Sequence, residues 1–171
     1  MQHIDVKAIL ERTVSMTYGD LVTRPTGKAV RGGIEAALQE TDGEQVAVID
    51  FGTVRLLDYS CADEVVGKLL LEHGRARYFL LQGVTASHCE AIEPVLERHG
   101  LAAVARDREG RVRVLGHVPA GAREALSFLT VGSEEWHDPH LPEETAHEVL
   151  EFLRRQRGTA AAEPVPPPAA E

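Results

Sequence analysis

The chain has 171 residues and a mass of 18.6 kDa, enough for one domain with a modest appendage. Hydrophobic residues make up 43% and charged residues 26%, an ordinary globular balance that needs no metal or disulfide staple. Eighteen Lys plus Arg against 27 Asp plus Glu give a formal charge of −9 and a pI near 5.4. That argues against a general nucleic-acid or anionic-membrane binder, because phosphate binding rests on a basic surface.

Cys61 and Cys89 are the two cysteines, with no CxxC or Cys/His zinc spacing, as in a reducing cytosol. The first residues, MQHIDVKAILERT, carry charges throughout and have no apolar stretch of signal-peptide length. No segment approaches the ~18 consecutive apolar residues of a membrane helix. The expectation is a soluble, cytoplasmic protein.

In chain order, residues 4–10 predict an edge strand with Ile4, Val6, Ala8 and Leu10 on one face. Residues 14–27 are turn-rich, with Gly19, Pro25 and Gly27. A helix follows over 26–41, with Ala29, Val30, Ile34, Ala37 and Leu38 on one stripe. Residues 45–51, QVAVIDF, form the clearest strand and end at Gly52. The pattern then predicts a helix over 60–73, a strand over 77–82, and a helix over 86–99 closed by Gly100. Strands over 101–106 and 111–115 flank the turn at 107–110. Two further helices are expected over 119–129 and 142–157.

Strands alternating with helices of this length predict an α/β protein with a mixed four- to five-stranded sheet covered by helices. The near-continuous apolar runs of the two central strands suit burial on both faces. Residues 1–157 form the domain, including an extra C-terminal helical extension at about 130–157. Residues 158–171, GTAAAEPVPPPAAE, predict a disordered Pro/Ala-rich tail, because they offer too little apolar surface to offset ordering entropy.

The most informative stretch is VAVIDFGTVRLLDYSCADEVVGKLLL, residues 46–71. An apolar strand ends at Asp50, a short link carries Val54 and Leu57, and Asp58-Tyr59-Ser60 opens a helix. This order resembles the STAS domains (sulfate transporter and anti-sigma-factor antagonist), whose strand ends in Asp and whose helix opens on Asp-Ser-Ser-Gly. Ser60-Cys61-Ala62-Asp63-Glu64 followed by Gly67 is similar to a bacterial STAS-like family reading S-F-A-D-E-x-x-G. Gly27-Lys28-Ala29-Val30-Arg31 with Ile34-Glu35 is similar to that family's upstream helix. The resemblance covers about residues 24–115. It implies a non-enzymatic regulatory module that binds other proteins. It also implies a partner of the ATP-binding anti-sigma or serine-kinase type, and Ser60 as the phosphorylatable residue.

Read for chemistry alone, Ser60 with Asp63 three residues on resembles a capping box, worth about 1 kcal/mol. A phosphate at a helix N-terminus would meet free N–H groups and add about −1.5 to −2 charge. Cys61 replaces the glycine of the phosphoswitch pattern. Asp58, Asp63 and Glu64 surround Ser60 with like charge. An acidic surface made of Asp58, Ser60, Asp63 and Glu64 is therefore the expected partner site, with Arg or Lys on the other protein.

A competing reading is a small α/β enzyme or ligand-binding protein that uses Cys61 or the His137/His140 loop. Another is an adaptor that oligomerises through its C-terminal helix. His137 and His140 with Glu144 or His147 lack the HExxH spacing of zinc proteases, and Pro139 and Pro142 fix that loop without a metal. Trp136 reads as a plug against the core. Gly27, Gly32 and Gly33 belong to no phosphate-loop motif. Arg106, Arg108, Arg111 and Arg113 surround a hairpin turn with Asp107 and Glu109 interleaved, the one local basic patch. No catalytic constellation, cofactor or metal is expected.

Overall fold

The computed structural model describes residues 1–14, 19–41 and 46–117. The helices expected at 119–129 and 142–157, the Trp136–His140 loop with Glu144, His147 and Glu148, and the tail 158–171 lie outside them.

The main sheet has five strands: β1 (Gln2–Asp5), β3 (Val46–Asp50), β5 (Tyr78–Val84), β6 (Ala102–Asp107) and β7 (Val112–Gly116). Their spatial order is β1-β3-β5-β6-β7. The first four run parallel, and β7 returns antiparallel to β6, so the sheet is mixed. Each parallel crossover moves one place in the same direction. Right-handed connections therefore put every intervening helix on one face. The core agrees. Ile4, Ala47, Ile49, Leu81, Ala103 and Ala105 share one cluster with the buried helix residues. Val48, Tyr78, Leu80, Ala102 and Val104 form a second cluster on the alternate positions of the strands. Both faces of β3 and β5 are buried, as their continuous apolar runs require.

Residues 4–10 do not form one strand. The strand stops at Asp5, and α1 (Val6–Val14) begins at once. Asp5 Oδ1 accepts the amides of Lys7 and Ala8 at 2.9 and 3.1 Å, the geometry of an N-cap. The alternation 4-6-8-10 competes with a helical spacing of Val6, Ile9 and Leu10, and those three are the buried ones. Ala8 is exposed.

A two-stranded parallel sheet, β2 (Asp20–Leu21) with β4 (Leu56–Leu57), ties the turn-rich segment to the link after β3. Arg55 clamps it through two bonds to the Asp20 carboxylate, at 2.9 and 2.7 Å. Helix α2 (Arg24–Glu40) starts two residues earlier than the apolar stripe suggests. Thr23 caps it, accepting the Thr26 amide, and Pro25 sits in the first turn, where its missing N–H costs nothing.

The helix expected over 60–73 runs from Tyr59 to His73 in three parts: α3 (Tyr59–Ala62), a π-helical stretch (Asp63–Lys68) and α4 (Leu69–His73). It packs between α2 and α5 (Ala86–Arg98) on the sheet. Every residue from Cys61 to Gly67 is buried. A helix packed on one side exposes part of each turn, so this wholly buried run is packed on all sides.

Gly83 marks an irregularity in the β5–β6 register. Its φ is +69°, and a Cβ there would lie 2.5 Å from the Gly52 Cα. Gly83→Ala combines left-handed strain with a backbone clash. It should cost about 2–4 kcal/mol of unfolding free energy, read from urea denaturation. A change within about 0.5 kcal/mol, the range of ordinary surface substitutions, would contradict this packing.

Candidate functional site

The β3–α3 connection leaves the carboxyl end of the sheet. Asp50, last in β3, accepts the Gly52 amide at 2.7 Å and lies 3.2 Å from His3 Nε2, so it shapes the turn. The link then pairs with β2 and delivers Asp58 to the helix start. Asp58 is the N-cap: its Oδ1 accepts the Cys61 amide at 2.7 Å. Ser60 lies in the first turn, as expected, but it does not cap the helix. Its hydroxyl donates to Asp58 at 3.0 and 3.1 Å. The expected pairing of Ser60 with Asp63 is replaced by an Asp58–Ser60–Cys61 turn, because a carboxylate two residues upstream holds the capping position.

Cys61 is fully buried, and its Sγ donates to the Thr23 carbonyl at 3.0 Å. Burial, with the Asp58 carboxylate beside it, pushes the thiol up to about 12. A protonated, sealed thiol is a poor nucleophile. Gly27 of α2 packs directly over it, and a Cβ at residue 27 would stand 2.9 Å from the Cys61 Cα.

Asp63 and Glu64 are not the exposed acidic surface expected from the sequence. They are 5% and 2% exposed. One nitrogen of Arg24, the first residue of α2, donates to both, at 2.8 Å each. His99, just beyond α5, reaches Asp63 Oδ1 at 2.8 Å. Glu64 also takes the Lys68 ammonium one turn on and lies 3.4 Å from Arg31 Nε. Burial pushes both carboxyls up. The hydrogen bonds and charges of His99 and Arg24 on Asp63, and of Lys68, Arg24 and Arg31 on Glu64, more than reverse that, so both sit below their ordinary range. The physical reason for the correction is charge density: adjacent carboxylates stay ionised inside a protein only when cations meet them.

Beside the exposed cations Arg24 and Arg55, the helix start shows three large apolar side chains outward. Leu56, Val22 and Tyr59 are 49%, 45% and 40% exposed. Leu56 and Asp58 flank buried Leu57 at β4, and Val22 follows buried Leu21 just past the end of the paired strand β2. The Tyr59 hydroxyl accepts a long bond of 3.5 Å from Arg98. The sequence reading missed these three side chains and the carboxylate partners Arg24, Arg31 and His99. Lys68, four residues after Glu64, was the one partner visible as a helical spacing.

Glu35, Glu72 and His73 bring possible ligand atoms within 4.8 Å of one another. Arg31 already bridges the two carboxylates, at 3.3 and 3.2 Å, and supplies the positive charge there. No helix among the described residues is long and apolar enough to cross a membrane. Comparison with protein-family models, curated proteins and solved structures finds no match to this chain.

The ionised carboxylates make a pH prediction. A carboxyl whose folded pKa is depressed stabilises the fold above its unfolded pKa, and that contribution fades as pH falls through the folded value. The ordinary values are 3.8 for Asp63 and 4.5 for Glu64. Glu64→Gln should therefore be less stable than the parent by about 1–3 kcal/mol at pH 7, where the charged bonds are intact. The gap should narrow on acidification from pH 4.5 downward. Urea unfolding at stepped pH measures it, and a gap that stays constant or widens in acid would contradict the assignment.

Proposed function

We propose that this protein is a non-enzymatic, STAS-like regulatory module that binds a partner protein through the helix start at Ser60. The partner is of the ATP-binding anti-sigma or serine-kinase type. The observation that carries this reading is the surface at the helix start. Exposed Leu56, Val22 and Tyr59 flank the half-buried Asp58–Ser60 turn, while the neighbouring thiol of Cys61 is buried and protonated. An apolar patch with an aromatic anchor and a polar turn at its edge is the usual composition of an interface core and rim. The order strand, short link, capped helix also supports the resemblance in residues 46–71.

The partner contact, on this reading, is narrower and less acidic than Asp58, Ser60, Asp63 and Glu64 together. Asp58 and Ser60 belong to the contact surface. Asp63 and Glu64 act behind it, through Arg24, by holding the helix start in place. Ser60 also suits a switch. A phosphate on its hydroxyl would stand beside the Asp58 carboxylate that now accepts its proton, so modification would disrupt the turn by like-charge repulsion.

The test uses the tagged full chain to capture its partner from the cytosol of the producing cell, with mass spectrometry of both proteins. Tyr59→Ala should weaken the recovered complex by about tenfold or more, as for an aromatic anchor, with a thermal midpoint close to the parent's. Ser60→Asp should abolish binding, and Ser60→Ala should retain it. If all three bind the partner equally, or if the captured protein has no ATP-binding fold, the reading fails.

A further inference from the structure

A second feature lies at the same end of the sheet but away from Ser60. The ends of β5 and β6, the start of α5 and the β6–β7 turn enclose a cavity of about 260 Å³. Val84, Thr85, Cys89, Asp107, Arg108 and Arg113 are among the residues lining it. That volume is just below the ~300–1,000 Å³ typical of sites for drug-sized ligands, so it suits a small metabolite.

The charge in this cavity is unevenly committed. The buried carboxylate of Asp107 is satisfied: Oδ1 accepts the amides of Glu109 and Arg111, at 3.0 and 2.8 Å, and Oδ2 accepts Arg111 Nε at 2.7 Å. Arg111 also holds Glu109, at 3.2 Å. The two carboxylates share one guanidinium and together keep one net negative charge. Arg108 and Arg113 remain. Neither side chain makes a hydrogen bond or ion pair with any other described residue. Their charges nonetheless reach inward. Burial lowers the pKa of His88, and Arg108 adds to that. Burial raises the Cys89 thiol, and Arg113 opposes it. Arg113 pairs across the hairpin with Ala105, whose side belongs to the helix-covered face, so its Cα–Cβ direction is toward α5.

The floor suits the same chemistry. Thr85 caps α5 and Ala86 lines the cavity. The first amides of a helix have no carbonyl partner within it. The α5 start is held rigidly, because the Thr85 hydroxyl accepts the His88 amide while His88 Nδ1 accepts the Thr85 amide. Cys89 offers no competing anion, since its thiol is pushed up and stays protonated.

We infer that this cavity binds a small phosphorylated metabolite, its phosphate held between the Arg108 and Arg113 guanidinium groups at the start of α5. Guanidinium forks match the paired oxygens of a phosphate, and the lining, three guanidinium groups against two carboxylates, keeps a net positive charge toward it. The Val84 and Cys89 wall receives the uncharged remainder of the molecule. This site is independent of the surface at Ser60 and stands whether or not that surface binds a protein.

The experiment is an amide NMR titration of the full chain with glycerol 3-phosphate at constant ionic strength, with glycerol and sodium chloride as controls. Saturable shifts are expected at Thr85, Ala86, Cys89 and Arg108, and none with glycerol or salt. Arg108→Gln and Arg113→Gln should each weaken binding by about tenfold. Both side chains are exposed and unpaired, so the variants should unfold at the parent's midpoint. Inorganic phosphate, run in parallel, should bind the same residues without the Cys89 shift. Shifts that do not saturate, that sodium chloride reproduces, or that persist unchanged in both variants would overturn the inference. Binding of inorganic phosphate with exclusion of glycerol 3-phosphate would overturn it too.

Discussion

The fold turns on two adjacent carboxylates, Asp63 and Glu64, buried in one helical stretch and met by one guanidinium from another element. Arg24 is the first residue of α2, and its partners lie 39 and 40 positions later. An unpaired carboxylate in that place would be protonated or expelled. The start of α2 therefore has to stand over the π-helical stretch. Once it does, Gly27 touches Cys61, Thr23 receives the Cys61 thiol, and the segment carrying Asp20 and Leu21 falls beside Leu56 and Leu57. The position of Ser60 at the surface follows from this chain of contacts.

Much of the scaffold is legible in the sequence, and the reasons differ by element. The runs of residues 45–51 and 77–82 read as strands, found at Val46–Asp50 and Tyr78–Val84, because both faces are buried and no helical stripe competes. The helices expected over 86–99 and 26–41, found at Ala86–Arg98 and Arg24–Glu40, show in their apolar spacing and, for the first, in Gly100 beyond its end. Residues 4–10 are ambiguous because period 2 and period 3.6 share Val6 and Leu10, and only the Asp5 cap decides. The π-helical stretch leaves no periodic trace. It lies packed between α2 and α5 and wholly buried from Cys61 to Gly67, a tertiary setting that no local spacing announces.

The candidate site divides in the same way. Asp58, Ser60 and the helix start are visible as a local pattern. That Asp63 and Glu64 face inward is invisible locally, because a charged pair in a first turn looks like a dipole-complementing surface. Their fate depends on Arg24, Arg31 and His99, all distant in sequence. The arginines of the β6–β7 hairpin show the converse. As a sequence run they look like a solvated turn with alternating signs. In three dimensions Arg111 pairs with both Asp107 and Glu109, and the remaining two arginines border a cavity.

Whether the carboxylate pair organises the helix start is tested most directly by a double-mutant cycle between Arg24 and the pair, using Arg24→Met, the double variant Asp63→Asn/Glu64→Gln, and their combination. Unfolding by urea at pH 7 gives the four stabilities. If Arg24 stabilises the fold by meeting these carboxylates, removing it once they are neutral should cost much less than removing it from the parent, and the combined variant should lose less than the sum of its parts. Strictly additive losses would mean that Arg24 and the two carboxylates act independently, and that something other than this contact sets the position of the helix start.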